Sequence, residues 1–139
     1  MTSKLMDYFN KQPRIGTIST AGKDGKVDVA VMGSPRMTDE TTVVLGSGAN
    51  RTLANLRQNP YAVYMIMEPG EIIFDWKGIR VYMKLKDLAT YGPAFDDYMA
   101  GLVKIAGEAA ASMIKALATF EVVEIRPLVD LGQGWERSI

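Results

Sequence analysis

Short apolar runs of strand length, separated by clusters of glycine, proline and small polar residues, dominate the pattern of this chain. Arg14 to Thr20 and Lys26 to Met32 read as strands on either side of AGKDGK, where Asp24 and Gly25 supply a hairpin signal, so the two should pair antiparallel. Thr41 to Leu45 follows the turn-rich SPRMTDE as a third strand, and Tyr61 to Met67 makes a fourth. Glu71 to Tyr91 is rich in β-branched and aromatic residues, with breaks at Glu68 to Gly70 and around Lys77 and Gly78, which predicts two strands, the second long. Ala118 to Arg126 alternates into a final strand before Pro127.

Helical signals fall between these runs. Thr2 or Ser3 can cap a helix with Leu5, Met6 and Phe9 on one face, ended by Pro13 and expected to lie across a barrel end. Asn50 can cap a second helix from about Arg51 to Arg57, stopped by Asn59 and Pro60. Pro93 suits the first turn of a third, in which Phe95, Tyr98, Met99, Leu102, Val103 and Ala106 repeat at helical spacing. Gly107 can interrupt or end it, and Glu108 to Leu117 favours more helix. Six or seven antiparallel strands with inserted helices and no regular βαβ alternation predict a mainly β fold, a closed or partly closed barrel. Met32, Met65, Met67 and Met83 are expected to pack its core.

Composition narrows the chemistry. The 139 residues, 47% of them hydrophobic, suit a single domain, residues 1–139. Sixteen basic residues balance sixteen acidic ones, leaving no global field for nucleic acid or an anionic membrane. No apolar stretch has the length of a membrane span or a signal peptide, so a cytoplasmic protein is expected. With no cysteine and no histidine, disulfides, thiolate nucleophiles and the commonest general base and metal ligand are all missing, and no metal site is expected. Any anion site must be local.

The best local candidate is GSGANRTLANLRQNP, Gly46 to Pro60, where a strand gives way through small residues to the Asn50-capped helix. Unpaired N–H groups and the helix dipole favour an anion there; Arg51 adds a forked donor and Thr52 a hydroxyl in the first turn. The same residues also suit an ordinary capped helix between two strands.

This motif, in the order of elements around it, resembles the FMN-binding split-barrel proteins related to pyridoxamine 5'-phosphate oxidase. The resemblance rests on Lys26 to Met32, Thr41 to Leu45, Asn50 to Arg57 and the Asn59–Pro60 pair, and runs from about Arg14 to Lys86, more weakly to Arg126. It implies a split barrel and the cofactor FMN. On the same footing Arg51 and Thr52 match the pair that holds the flavin phosphate, with Ser47 and Asn50 beside them, and Val31, Met32, Gly33 and Ser34 match the strand end that meets the isoalloxazine ring. A homodimer with flavin at the subunit interface is implied, for which Trp76, Lys77 and Arg80 are candidate partner-side contributors. Thr52 stands where the oxidase has lysine, and the chain ends in LGQGWERSI without the basic and aromatic tail that handles the substrate phosphate, so vitamin B6 oxidation is not expected.

The resemblance therefore implies an oxidoreductase or flavin reductase, with hydride or electron transfer at flavin N5 and a small-molecule electron donor or acceptor. The alternatives are a non-catalytic flavin-binding or electron-carrier protein, a split barrel that binds deazaflavin or haem, and a ligand-free dimer. No catalytic residue is assigned: proton transfer would fall to water, to Asp28, Glu68 or Asp75, or to Tyr82.

Overall fold

The computed structural model describes residues 3–139. Ser3 caps helix α1 (Lys4–Asn10), its hydroxyl accepting from the Met6 N–H at 3.1 Å, while Thr2, the other candidate cap, lies outside the described residues. The strands are β1 (Ile15–Ala21), β2 (Val27–Val31), β3 (Arg36–Asp39), β4 (Thr42–Ser47), β5 (Tyr61–Glu68), β6 (Lys77–Ala89) and β7 (Ala116–Pro127). Helices α2 (Arg51–Leu56) and α3 (Pro93–Ser112) are inserted between them. All strands join one antiparallel sheet in the order β2-β1-β5-β6-β7-β4-β3.

The expected mainly β fold is present, with corrections to its parts. The turn-rich SPRMTDE contains β3, so Thr42–Ser47 is the fourth strand. A strand this short, broken by a bulge between Met37 and Asp39, offers too little alternation to be read. Lys77 and Gly78 open β6 instead of dividing two strands, and the piece before them holds only a 3-10 turn, Ile73–Asp75. Helix α3 passes Gly107 with a kink (φ 88°) and stops at Ser112, because Ala116 and Leu117 are taken into β7 against β4.

Register shifts in the long β6–β7 pair curl the sheet until its two edges approach each other around one core. Ile18 from β1, Met37 from β3, Val43 and Leu45 from β4, Tyr64 from β5 and Phe120 from β7 all belong to that core. Helix α1 covers one end, adding Leu5 and Phe9. The seam between β2 and β3–β4 is bridged by side chains instead of a ladder. The Ser34 hydroxyl donates to the Gly46 carbonyl across it at 3.0 Å, and Asn10 at the end of α1 pairs with both backbone groups of Met37 (2.9 and 2.8 Å). Of the four methionines expected inside, Met83 is buried and Met32 packs against the core, whereas Met65 and Met67 alternate onto the outer face of the sheet.

Candidate functional site

The seam is where most of the candidate residues gather. Strand β2 ends at Val31, and Met32 leaves it with its N–H on the Gly16 carbonyl (3.0 Å) and its own carbonyl accepting from the Tyr64 hydroxyl (2.6 Å). Tyr64 reaches that carbonyl by lying over Gly16, where any Cβ would collide with the phenol. Gly33 follows with open space on its side-chain side. Among the described residues the N–H groups of Gly33 and Ser34 carry no hydrogen bond, so two donors stand ready at the strand exit. Val31, 84% exposed, leaves an apolar surface beside them.

Across the Ser34–Gly46 bridge lies the start of α2. Asn50 caps it, its amide oxygen accepting from the Leu53 N–H at 2.9 Å, and the first helical bond runs from Ala54 to the Asn50 carbonyl. The Arg51 N–H precedes that bond and is free of it by helix geometry. Its side chain is 77% exposed and meets Asp28 of β2 at 3.9 Å. So long and exposed a pair holds Arg51 weakly and leaves its donors open to an anion.

Two of the expected phosphate ligands sit differently. Thr52 is only 1% exposed, turned under the corner by the same helix that buries Leu53 and Leu56. Ser47 is buried as well, its hydroxyl 3.1 Å from the Gly48 carbonyl and 3.3 Å from the Asn50 amide oxygen. Both shape the corner from beneath and offer no surface of their own. The structure thus brings Val31, Met32, Gly33, Ser34, Asn50 and Arg51 to the seam as accessible or backbone groups, and keeps Ser47 and Thr52 inside.

The partner-side candidates lie on β6 and just before it. The Arg80 guanidinium is engaged within its own chain, donating to the Pro127 carbonyl (3.1 Å), the Tyr82 hydroxyl (3.0 Å) and Asp130 (3.0 Å). Asp130 also meets Arg126. Hydrogen bonds from the Gly132 N–H and Arg126 hold the Asp130 carboxyl below the usual carboxylate range. Trp76 is half-buried and Lys77 exposed. Of the groups considered for proton transfer, Asp28 faces Arg51, Tyr82 accepts from Arg80, and Glu68 accepts from Tyr8 at 2.5 Å.

One residue escaped the reading of the chain. Arg14 lies half-buried under the strand exit, its two terminal nitrogens donating to the carbonyls of Phe9 (2.5 Å), Gly33 (2.8 Å) and Pro35 (2.5 Å). Nothing in its local sequence marks it, because the partners come from three separate elements.

Residues 2–129 match the family model described as pyridoxamine 5'-phosphate oxidase. Among solved structures, an FMN-binding protein from Syntrophomonas wolfei subsp. wolfei is 26% identical, with a TM-score of 0.78 over 92% of this chain and 86% of its own. HutZ, a heme storage protein from Vibrio cholerae, shares the fold at 16% identity and a TM-score of 0.65, covering 90% of this chain and 92% of that one. An FAD-binding protein from Mesorhizobium loti does so at 16% identity and a TM-score of 0.62, again over 90% and 92%. No curated protein matches. Among the described residues, no helix is long and apolar enough to cross a membrane.

Proposed function

The chain belongs to the pyridoxamine 5'-phosphate oxidase family, and from that premise we propose that it is an FMN-binding flavoprotein, an oxidoreductase or flavin reductase. The observation that carries the reading is the seam. An exposed guanidinium at a helix start and a strand exit with two free N–H donors, an open glycine and an apolar neighbour are held on either side of one hydrogen-bonded bridge. The donor set fits FMN, whose phosphate wants a forked cation and whose ring wants main-chain donors at one edge and apolar surface at its face. The FMN-binding relative at 26% identity supports the same choice among flavins.

In this reading Arg51 and the Arg51 N–H hold the phosphate, with Asn50 fixing the turn that presents them. Gly33 and Ser34 meet the ring edge and Val31 its face. FMN, when bound, supplies hydride or electron transfer at its N5 to or from a small-molecule partner. The chain supplies position: the Ser34 bridge keeps strand exit and helix start at a fixed separation, and Thr52, where the oxidase proper carries lysine, leaves the anion with one cation instead of two.

The reading includes a homodimer with the flavin at its interface. Val27, Val29, Val31, Ile15 and Tyr61 stand exposed on the outer face of β2, β1 and β5, an apolar surface of the kind a second copy would cover. Trp76 and Lys77 are the residues assigned to a partner's site; Arg80 already has intrachain partners.

The absorption spectrum of the purified protein is the direct test, and a flavin spectrum with FMN released on denaturation is expected. Arg51→Ala should then weaken FMN binding by about 1–3 kcal/mol, the range of a charge-assisted hydrogen bond left unmade. An affinity indistinguishable from wild type, measured by quenching of FMN fluorescence, removes Arg51 from the site. Bleaching by NADH or NADPH well above the rate with free FMN supports the enzyme; its absence with every donor tried favours an electron carrier.

A further inference from the structure

We propose that Arg14 is a positioning residue for the ring edge of the flavin site, fixing the backbone from Gly33 to Pro35 and placing beside it a half-buried positive charge that no carboxylate among the described residues offsets. The inference rests on the FMN reading above.

The geometry is that of a clamp. One terminal nitrogen of Arg14 donates to Phe9, the last turn of α1, and the other to Gly33 and Pro35, so a single planar group ties the end of α1 to the strand exit. The guanidinium lies 5.3 Å from the Phe9 ring centroid and 5.2 Å from that of Tyr64, and the two rings are themselves 5.5 Å apart. Held between two aromatic faces, it has little freedom to turn. Its Nε is buried without a partner, a sign that the arrangement is set by what the terminal nitrogens bind and not by satisfying the whole group. Tyr64 adds a further hold on the Met32 carbonyl at 2.6 Å. Between them Arg14 and the core residue Tyr64 secure the carbonyls of Met32, Gly33 and Pro35, and leave the N–H groups of Gly33 and Ser34 for a ligand.

The charge is the second part. Burial lowers the pKa of Arg14 from its usual value, with Tyr64 pulling the other way, and an arginine remains protonated all the same. Its partners are neutral, three backbone carbonyls and the Tyr64 hydroxyl. A half-buried cation compensated only by dipoles keeps part of its charge unscreened, and it projects a positive field onto whatever occupies the strand exit. A bound flavin gains negative charge density on reduction, so this field favours the reduced form over the oxidised one.

The test uses the full chain loaded with FMN, and reads two quantities: the dissociation constant of oxidised FMN, from fluorescence quenching, and the midpoint potential, from dithionite titration against a reference dye. Arg14→Met should weaken binding several-fold and lower the preference for reduced over oxidised FMN by about tenfold, equivalent to about 30 mV for two electrons. Arg14→Lys, which keeps the charge and loses the fork, should weaken binding and hold the potential near wild type. Tyr64→Phe removes the hydroxyl that holds the Met32 carbonyl and also hydrogen-bonds Arg14, leaves the guanidinium charge in place, and should likewise weaken binding with the potential near wild type. A folded Arg14→Met with wild-type affinity and potential overturns the proposal. Should that variant fail to fold, judged by its circular dichroism melt, wild-type affinity in both Arg14→Lys and Tyr64→Phe overturns it instead. A wild-type protein that binds no FMN defeats the flavin reading and this inference together, whereas indifference to Arg14 in an FMN-binding protein defeats this inference alone.

Discussion

The two faces of the β2-β1-β5 part of the sheet are made of similar residues and lead opposite lives. Inward, Ile18, Thr20, Ala62, Tyr64 and Ile66 are buried beneath α1, α2 and the far strands. Outward, in register with them, Val29 opposes Ser19 and Val63, Val31 opposes Thr17 and Met65, and Ile15 opposes Met67. That outer surface is apolar yet uncovered, with Val27 and Val31 each 84% and Val29 63% exposed. A shallow trough of about 360 Å3 lined by Val27, Tyr61, Val63, Tyr82 and Val123 runs across it. An edge strand such as β2 would ordinarily carry charge or proline on its open side. The difference between the faces teaches that burial within this chain accounts for only part of its apolar strand positions, and the exposed remainder is what the proposed dimer would cover.

Mutations on the two faces should therefore fail in different ways. On the inner side, Phe120→Ala leaves a cavity in the core where Phe120 is 1% exposed, and should cost about 3–5 kcal/mol in urea unfolding. A loss under about 1 kcal/mol would mean that this face is no better packed than the other. On the outer side, Val29→Asp should leave a folded protein with a smaller loss, since the side chain is largely exposed and the strand propensity scale spans only about 1 kcal/mol. Its effect should appear instead in sedimentation velocity, as a dimer at least about tenfold weaker, because a carboxylate would be buried at the interface where an apolar group was. A Val29→Asp protein that dimerises like wild type would place the partner surface elsewhere.

This division explains what could be read from the chain and what could not. Strands β1, β2, β4 and β5 were legible because turn residues such as Asp24, Gly25, Asn59 and Pro60 punctuate them, whereas the short β3 was not. Their faces were not, since runs such as VDVAVM and AVYMIM are apolar at nearly every second position in either register; hence Met65 and Met67 read as core and stand outside. At the seam, the Asn50 cap and the exposed Arg51 were visible as a local motif. The inward turn of Thr52 was not, because which side of a short helix faces the core depends on the strands beneath it. Arg14 was invisible for a stronger reason: its role is made of carbonyls, which every sequence has, brought together from α1, β2 and the loop to β3.

The smallest effect concerns how the inner face is closed at its α1 end, and it is a matter of pH. Tyr8 of α1 donates to Glu68 at the end of β5, and Lys11 approaches the same carboxylate at 3.3 Å. The Tyr8 hydrogen bond, helped by Lys11 and opposed by partial burial, lowers the Glu68 pKa from its usual value. A carboxyl whose pKa is depressed by folding lends stability that is present above its unfolded value, about 4.3, and is lost as the pH falls through the lower folded value. Its exposure keeps the contribution to at most about 1 kcal/mol, the scale of screened pairs. Glu68→Gln should accordingly lower the thermal midpoint at pH 7 by a small amount, and the gap to wild type should close below about pH 4. Among the described residues the outer face of β2, β1 and β5 carries no such link, so dimerisation measured over the same interval should be indifferent to Glu68→Gln. A gap that persists unchanged into acid would show that the protonated Glu68 carboxyl holds Tyr8 as well as the carboxylate does, and that α1 is fastened by shape and not by charge.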